Sequence, residues 1–145
     1  MNRSQHAGEL FLSGYNCAQS VLLSFADDLK FSKELAQKLA VGFGGGMGKQ
    51  QETCGAVTGA IMVLGLLRGE EVNNNEELKA AAYSSVKELS RDFISAYKTT
   101  QCRELIGCDL NTPEGSEKFK EEKIMENVCA GCVRKAVEIV EDLTT

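Results

Sequence analysis

The stretch from Ala56 to Leu67 constrains the fold more than any other part of the chain. Its apolar residues are Ala56, Val57, Ala60, Ile61, Met62, Val63, Leu64, Leu66 and Leu67. At 3.6 residues per turn they fall on every side of a helix, so such a helix has to be covered by neighbours all round. It belongs at the centre of a bundle. Thr53 is the expected N-cap, and Arg68 marks the approximate end. Thr58, Gly59 and Gly65 interrupt the run, which is too short and too broken to cross a bilayer. Gly55 and Gly59, four apart, leave one face bare enough for another helix to come close.

The covering helices are legible from periodicity and caps. Arg3 to Leu12 reads as a first helix. Asn16 to Leu29 reads as a second, with Ala18, Val21, Leu22, Phe25 and Leu29 on one side. Asn16 followed three residues later by Gln19 makes a capping box, which puts Cys17 in the first turn. Ser32 is a cap for a third helix, whose packing face is expected at Leu35, Leu39 and Ala40. Asn74 and Glu77 repeat the capping-box pattern ahead of the clearest stripe in the chain: Leu78, Ala82, Val86, Leu89, Phe93 and Tyr97. A short helical piece is expected near Cys102 to Ile106. Thr112-Pro113 is a start signal. The last helix runs from about Ile124 to Leu143, with Val128, Cys132, Val133, Ala136, Val140 and Leu143 as its stripe. No segment alternates as a half-buried strand would. The expectation is a single all-α domain over residues 1–145, a compact bundle of five or six helices.

Charge and cysteine usage narrow the function classes. The formal net charge is -5, and Arg134-Lys135 is no more than a pair. Nucleic acid is therefore excluded as a partner, since phosphate binding needs a basic face. Met1 to Tyr15 has no apolar run of the length a secretory signal needs, so the expected location is the cytoplasm. Disulfides are disfavoured there, and six cysteines then point to metal binding, redox chemistry or buried thiols.

Cys54 is the first candidate for chemistry. It follows the glycine-rich stretch Gly42-Phe43-Gly44-Gly45-Gly46-Met47-Gly48 and opens the apolar helix. A helix N-terminus favours the thiolate, the form that acts as nucleophile or metal ligand. Cys17 has the same setting in the second helix. The glycine stretch is not a Walker loop, because Gln50 follows Gly48-Lys49 and no strand precedes it. Gly44, Gly45, Gly46 and Gly48 read instead as a nest of backbone N–H groups for an anion, a sulfide or a substrate beside Cys54. His6 is the only histidine, so a Cys-His catalytic pair has no support.

Cys129-Ala130-Gly131-Cys132 is a Cys-x-x-Cys pair. Haem attachment requires histidine where Val133 stands, and a thioredoxin-like site requires strands. A zinc ribbon requires a second such pair, but Cys102 and Cys108 are six apart. Cys132 lies on the apolar stripe, and plain packing suits it best. Cys17, Cys54, Cys102 and Cys129 come from four separate segments, with Cys108 as an alternative to Cys102. If they meet, they form the Cys₄ ligand set of zinc or an iron–sulfur cluster.

The combination of Tyr15-Asn16-Cys17-Ala18-Gln19, Phe43-Gly44-Gly45-Gly46-Met47-Gly48, Cys54-Gly55-Ala56-Val57-Thr58-Gly59, Cys102-Arg103-Glu104-Leu105-Ile106-Gly107-Cys108-Asp109-Leu110 and Cys129 resembles the C_GCAxxG_C_C family. These are prokaryotic chains of about this length, described as putative redox-active proteins. The resemblance implies four characteristic cysteines, which by position are Cys17, Cys54, Cys102 and Cys129, with Cys132 additional to them. It also implies genes near those of transporters. A similar domain accompanies haem and an iron–sulfur centre in split-Soret cytochromes, but the haem part does not carry over, since no Cys-x-x-Cys-His is present.

The leading expectation is a redox protein that uses its cysteines for thiol–disulfide exchange or as ligands of an iron–sulfur cluster. No general acid or base is visible, so no enzyme label is assigned. One rival is a binding module that holds a metal ion or a sulfur compound for a transporter. Another is a structural zinc protein acting by helix association. The electron partner is unidentified, and homodimerisation through an apolar helix face is an expectation of the same reading.

Overall fold

The computed structural model describes residues 1–145 and is all-helical. Eight helices follow one another: α1 (Arg3–Leu12), α2 (Cys17–Ala26), α3 (Lys33–Ala40), α4 (Gly55–Gly69), α5 (Asn75–Tyr97), α6 (Cys102–Ile106), α7 (Pro113–Glu121) and α8 (Ala130–Thr144). The expected count of five or six is too low. The short segments α6 and α7 are separate helices because Gly107 ends the first with a left-handed cap and Thr112-Pro113 starts the second. No helix is long and apolar enough to cross a membrane.

The central role of α4 holds. It packs against α2, α5 and α8, while α1 lies across α8 and α2. Its first half, from Gly55 to Ala60, is buried throughout, as are Val63 and Leu64. Ile61, Met62, Leu66 and Leu67 are half-buried. The far end of α4 is tied down by Arg68, which donates to the Ser85 hydroxyl and to the Leu143 carbonyl.

Two local expectations are corrected. The packing face of α3 is Ala36 and Ala40, both fully buried, and not Leu35 and Leu39, which are 46% and 53% exposed. The small residues let α3 sit close to α2, where the Gln19 side-chain amide donates to the Gln37 carbonyl. The cap of α4 is Cys54 itself. Thr53 is drawn instead into a single antiparallel bridge with Gln101.

The capping boxes behave as local chemistry dictates. Asn16 accepts from the Gln19 N–H, and the Gln19 side chain accepts from the Asn16 N–H. Asn74 accepts from the Glu77 N–H, but the Glu77 carboxylate reaches the Asn73 N–H, one residue before the cap. Asn2 and Gln5 form a box at α1 that the sequence pattern did not flag.

Candidate functional site

Three devices bring separate segments to the N-terminus of α4. The first is close helix packing. A methyl group on Gly59 would lie 2.9 Å from the Ala18 carbonyl oxygen, and one on Gly55 would lie 3.1 Å from the Cys17 Cβ. The bare face read from the sequence therefore receives the first turn of α2 and places Cys17 beside Cys54.

The second device is the glycine-rich loop. After the 3₁₀ turn Val41–Phe43, residues Gly45, Gly46, Met47, Gly48 and Lys49 all take positive φ, as does Gln51. The chain turns in the left-handed sense, which only glycine adopts without strain. Gly46 is the tightest point, because a methyl group there would lie 2.7 Å from the Glu52 nitrogen and 2.9 Å from the Cys102 Cβ. The loop folds on itself: Gln51 N–H donates to Gly45 O, and Glu52 N–H donates to Gly46 O. The Gly44 and Gly48 N–H groups donate to Val41 O and Gly44 O. Of the four glycines expected to form a nest, Gly45 and Gly46 line the cavity beside Cys54 and Gly44 and Gly48 do not.

The third device is a ladder between the end of that loop and the start of α6. Cys54 N–H donates to Thr100 O, Cys102 N–H to Glu52 O and Arg103 N–H to Gln51 O. Gln51 is buried, and its amide donates to Cys108 O and accepts from Leu110 N–H. These bonds fix Cys102 next to the α4 N-terminus. Cys108 follows the end of α6, and its carbonyl holds the Gln51 amide.

A further irregularity places the last two cysteines. Met125–Cys129 forms a π-helical turn ahead of α8, in which the Ala130 N–H bonds to the Met125 carbonyl. Such turns shift the face a helix presents. Cys129 and Cys132, three apart, both come to the cavity.

The result is one cavity of about 380 Å³ lined by five cysteines: Cys17, Cys54, Cys102, Cys129 and Cys132. Cys54, Cys102 and Cys132 are buried, while Cys17 and Cys129 are half-buried. Cys108 lines a separate polar depression with Arg103, Asp109 and Asn111. Of the two candidates for the third position, Cys102 is therefore the one that faces Cys54. Cys132, read from the sequence as packing, faces it too. The available signal was the Cys-x-x-Cys spacing, which puts two cysteines one turn apart on a helix.

The sulfurs are electrostatically unequal. Cys54 is held well below an ordinary thiol, first by hydrogen bonding from Cys132 and then from Cys17, with the backbone N–H groups of Ala56 and Val57 adding to the effect against the cost of burial. Its partners move the other way. Cys17 is raised by its bond to Cys54 and by burial, and Cys132 is raised for the same two reasons. Burial and then the Cys54 charge push Cys102 up to about 11 and Cys129 up to about 12. One thiolate surrounded by protonated thiols is the arrangement that low dielectric favours, since like charges in such a site cannot all ionise. Tyr97 covers the α8 side, where its hydroxyl oxygen lies 3.0 Å from the position of a Cβ on Gly131.

A zinc ion or a cluster would need several converging donors. No three His, Cys, Asp or Glu side chains converge as a metal-holding group.

Comparison with curated proteins gives no match, and comparison with solved structures gives none either. The family model described as "Putative redox-active protein (C_GCAxxG_C_C)" matches residues 15–143, which takes in every cysteine of the cavity. The chain belongs to the C_GCAxxG_C_C family that this description covers.

Proposed function

We propose that this chain is a dithiol–disulfide redox protein, with Cys54 as nucleophile and Cys132 as the thiol that closes the internal disulfide. The observation that carries the reading is the position of the Cys54 sulfur. It lies at a helix N-terminus, is favoured as thiolate, and has protonated thiols on either side. A thiolate is the attacking species in disulfide exchange, and a neighbouring thiol is what resolves the product.

The steps balance without a further reactant. The Cys54 thiolate attacks one sulfur of an incoming disulfide. A Cys54–S bond forms, the substrate S–S bond breaks, and one half leaves as a thiolate that takes the Cys132 proton. The Cys132 thiolate then attacks the Cys54 sulfur, and the second half leaves as thiolate and is protonated by solvent. The substrate has gained two electrons, and the protein holds them no longer, being oxidised to a Cys54–Cys132 disulfide. Cys129, one turn from Cys132, is placed to exchange with that bond afterwards.

The test is anaerobic purification of the full chain, followed by limiting oxidation and peptide mapping without reduction. The expected product is a Cys54–Cys132 cross-link, together with alkylation of Cys54 faster than of the other five thiols at neutral pH. A Cys17–Cys54 cross-link would move the resolving role to α2. Uniform slow alkylation would overturn the thiol reading. Stoichiometric iron and sulfide, or zinc, in the purified chain would move the function to a metal centre.

A further inference from the structure

We propose that the cavity beside Cys54 receives a small organic disulfide with an apolar body and a carboxylate, which Lys49 and Lys120 hold at the rim. The proposal rests on the thiol–disulfide reading and specifies its substrate class. A volume of about 380 Å³ suits one small molecule and is too little for a folded partner.

The walls away from the sulfurs are apolar: Phe11, Leu105, Ile106, Phe119 and Val128 among them. A flexible, many-charged peptide disulfide would lose hydration there without replacing it, whereas an aryl or alkyl group would not. The charged residues in the lining are Lys49 and Lys120, and none of the chain's 21 acidic residues is among them. Against a net charge of -5 this is a local reversal of sign. The lysines that do pair with carboxylates are Lys33, Lys38 and Lys135. Lys49 and Lys120 are left free. They come from different elements, the left-handed loop and α7, and both line the cavity. A carboxylate bound between them orients the substrate so that its sulfurs lie toward Cys54. The electron balance is that of the exchange above: one disulfide is reduced to two thiols, and one Cys54–Cys132 disulfide is formed per chain.

The test uses the reduced full chain carrying Cys108→Ser, so that the outer thiol does not contribute. Its rates are measured with dithiobis(nitrobenzoate), aromatic and anionic; with dithiodipyridine, aromatic and uncharged; and with oxidised glutathione, charged but not apolar. Each rate is divided by that of free cysteine with the same reagent. The anionic aromatic disulfide is expected to be favoured over oxidised glutathione by about tenfold. Lys49→Gln with Lys120→Gln should lower its rate by about tenfold and leave dithiodipyridine unchanged, as two exposed ion pairs would. Raising the salt from roughly 0.05 to 0.5 M should slow the anionic aromatic reagent in the unsubstituted rim and leave dithiodipyridine unchanged. Equal relative rates for both aromatic reagents, insensitive to the lysines and to salt, would overturn the proposal while the thiol reading stands. Rates no faster than free cysteine with every reagent would sink the thiol reading itself.

Discussion

Cys54 and Cys132 line one cavity, and of the two Cys54 is favoured as the thiolate while Cys132 keeps its proton. Cys54 has the helix N-terminus and two thiol donors to stabilise its charge. Cys132, in the first turn of α8 and 1% exposed, is raised by its bond to Cys54 and by burial. Removing the donor should therefore weaken the thiolate. In Cys132→Ser the hydroxyl keeps a hydrogen bond, and in Cys132→Ala nothing replaces it. The pH profile of Cys54 alkylation is expected to shift upward by roughly one unit in the alanine variant, and by less in the serine variant. The pH profile of alkylation checks this, and an unchanged profile in both variants would remove Cys132 from the site.

The loop and α6 make a separate prediction about Gly46. A methyl group there meets the backbone of Glu52 as well as Cys102, at a positive φ. Gly48 has a similar φ, but its nearest neighbour is 3.9 Å away. Gly48→Ala should cost about 1 kcal/mol from the left-handed backbone alone. Gly46→Ala should cost roughly 3 kcal/mol, since the ladder must shift as well. Urea unfolding of the two variants measures the difference. Equal costs would mean the close approach to Cys102 is not held.

The α2–α4 contact can be separated from helix propensity. Gly59→Ala puts a methyl group 2.9 Å from the Ala18 carbonyl, so it should destabilise by about 2 kcal/mol despite the better helix former. Gly65 sits in the same helix with open space around it, and Gly65→Ala should stabilise by about 0.5–1 kcal/mol. Thermal midpoints moving in opposite directions are the expected result. Two stabilising substitutions would contradict the packing.

Alkaline pH should weaken the reduced protein. Cys102 and Cys129 keep their protons to about 11 and about 12 in the folded chain, against roughly 8.5 for a free thiol. Above the free value the unfolded chain has released these protons and the folded chain has not. The unfolded state then binds fewer protons, so stability falls as pH rises. Cys17 and Cys132, also raised, act in the same direction. Cys54 acts in the opposite one: its lowered value contributes stability that is complete above the free value and is lost as pH falls through the folded one. Above the free value the Cys54 contribution no longer changes, so the four raised groups give a urea midpoint that drops from about pH 9 toward pH 11. Cys129→Ala should make the drop shallower, and a flat midpoint across that window would count against the buried, protonated set.

The starts of several helices are legible in the chain, because their signals are local. Asn16 with Gln19, Ser32, Asn74 and Thr112-Pro113 each act over three or four residues of chain, and each starts the helix it marks. The all-round apolar character of α4 also settled that this helix lies at the centre. Which sulfurs meet depends on long-range packing. Cys102 rather than Cys108 faces Cys54 because residues 51–54 pair with residues 100–103, a choice made across some fifty residues of chain. Cys132 joins the site because the π-helical turn at Met125–Cys129 and the packing of α8 on α4 bring it there. The proton arrangement follows from the same convergence. No single thiol's neighbours in sequence could set it, since the charge of Cys54 is stabilised by groups from α2, α4 and α8 together.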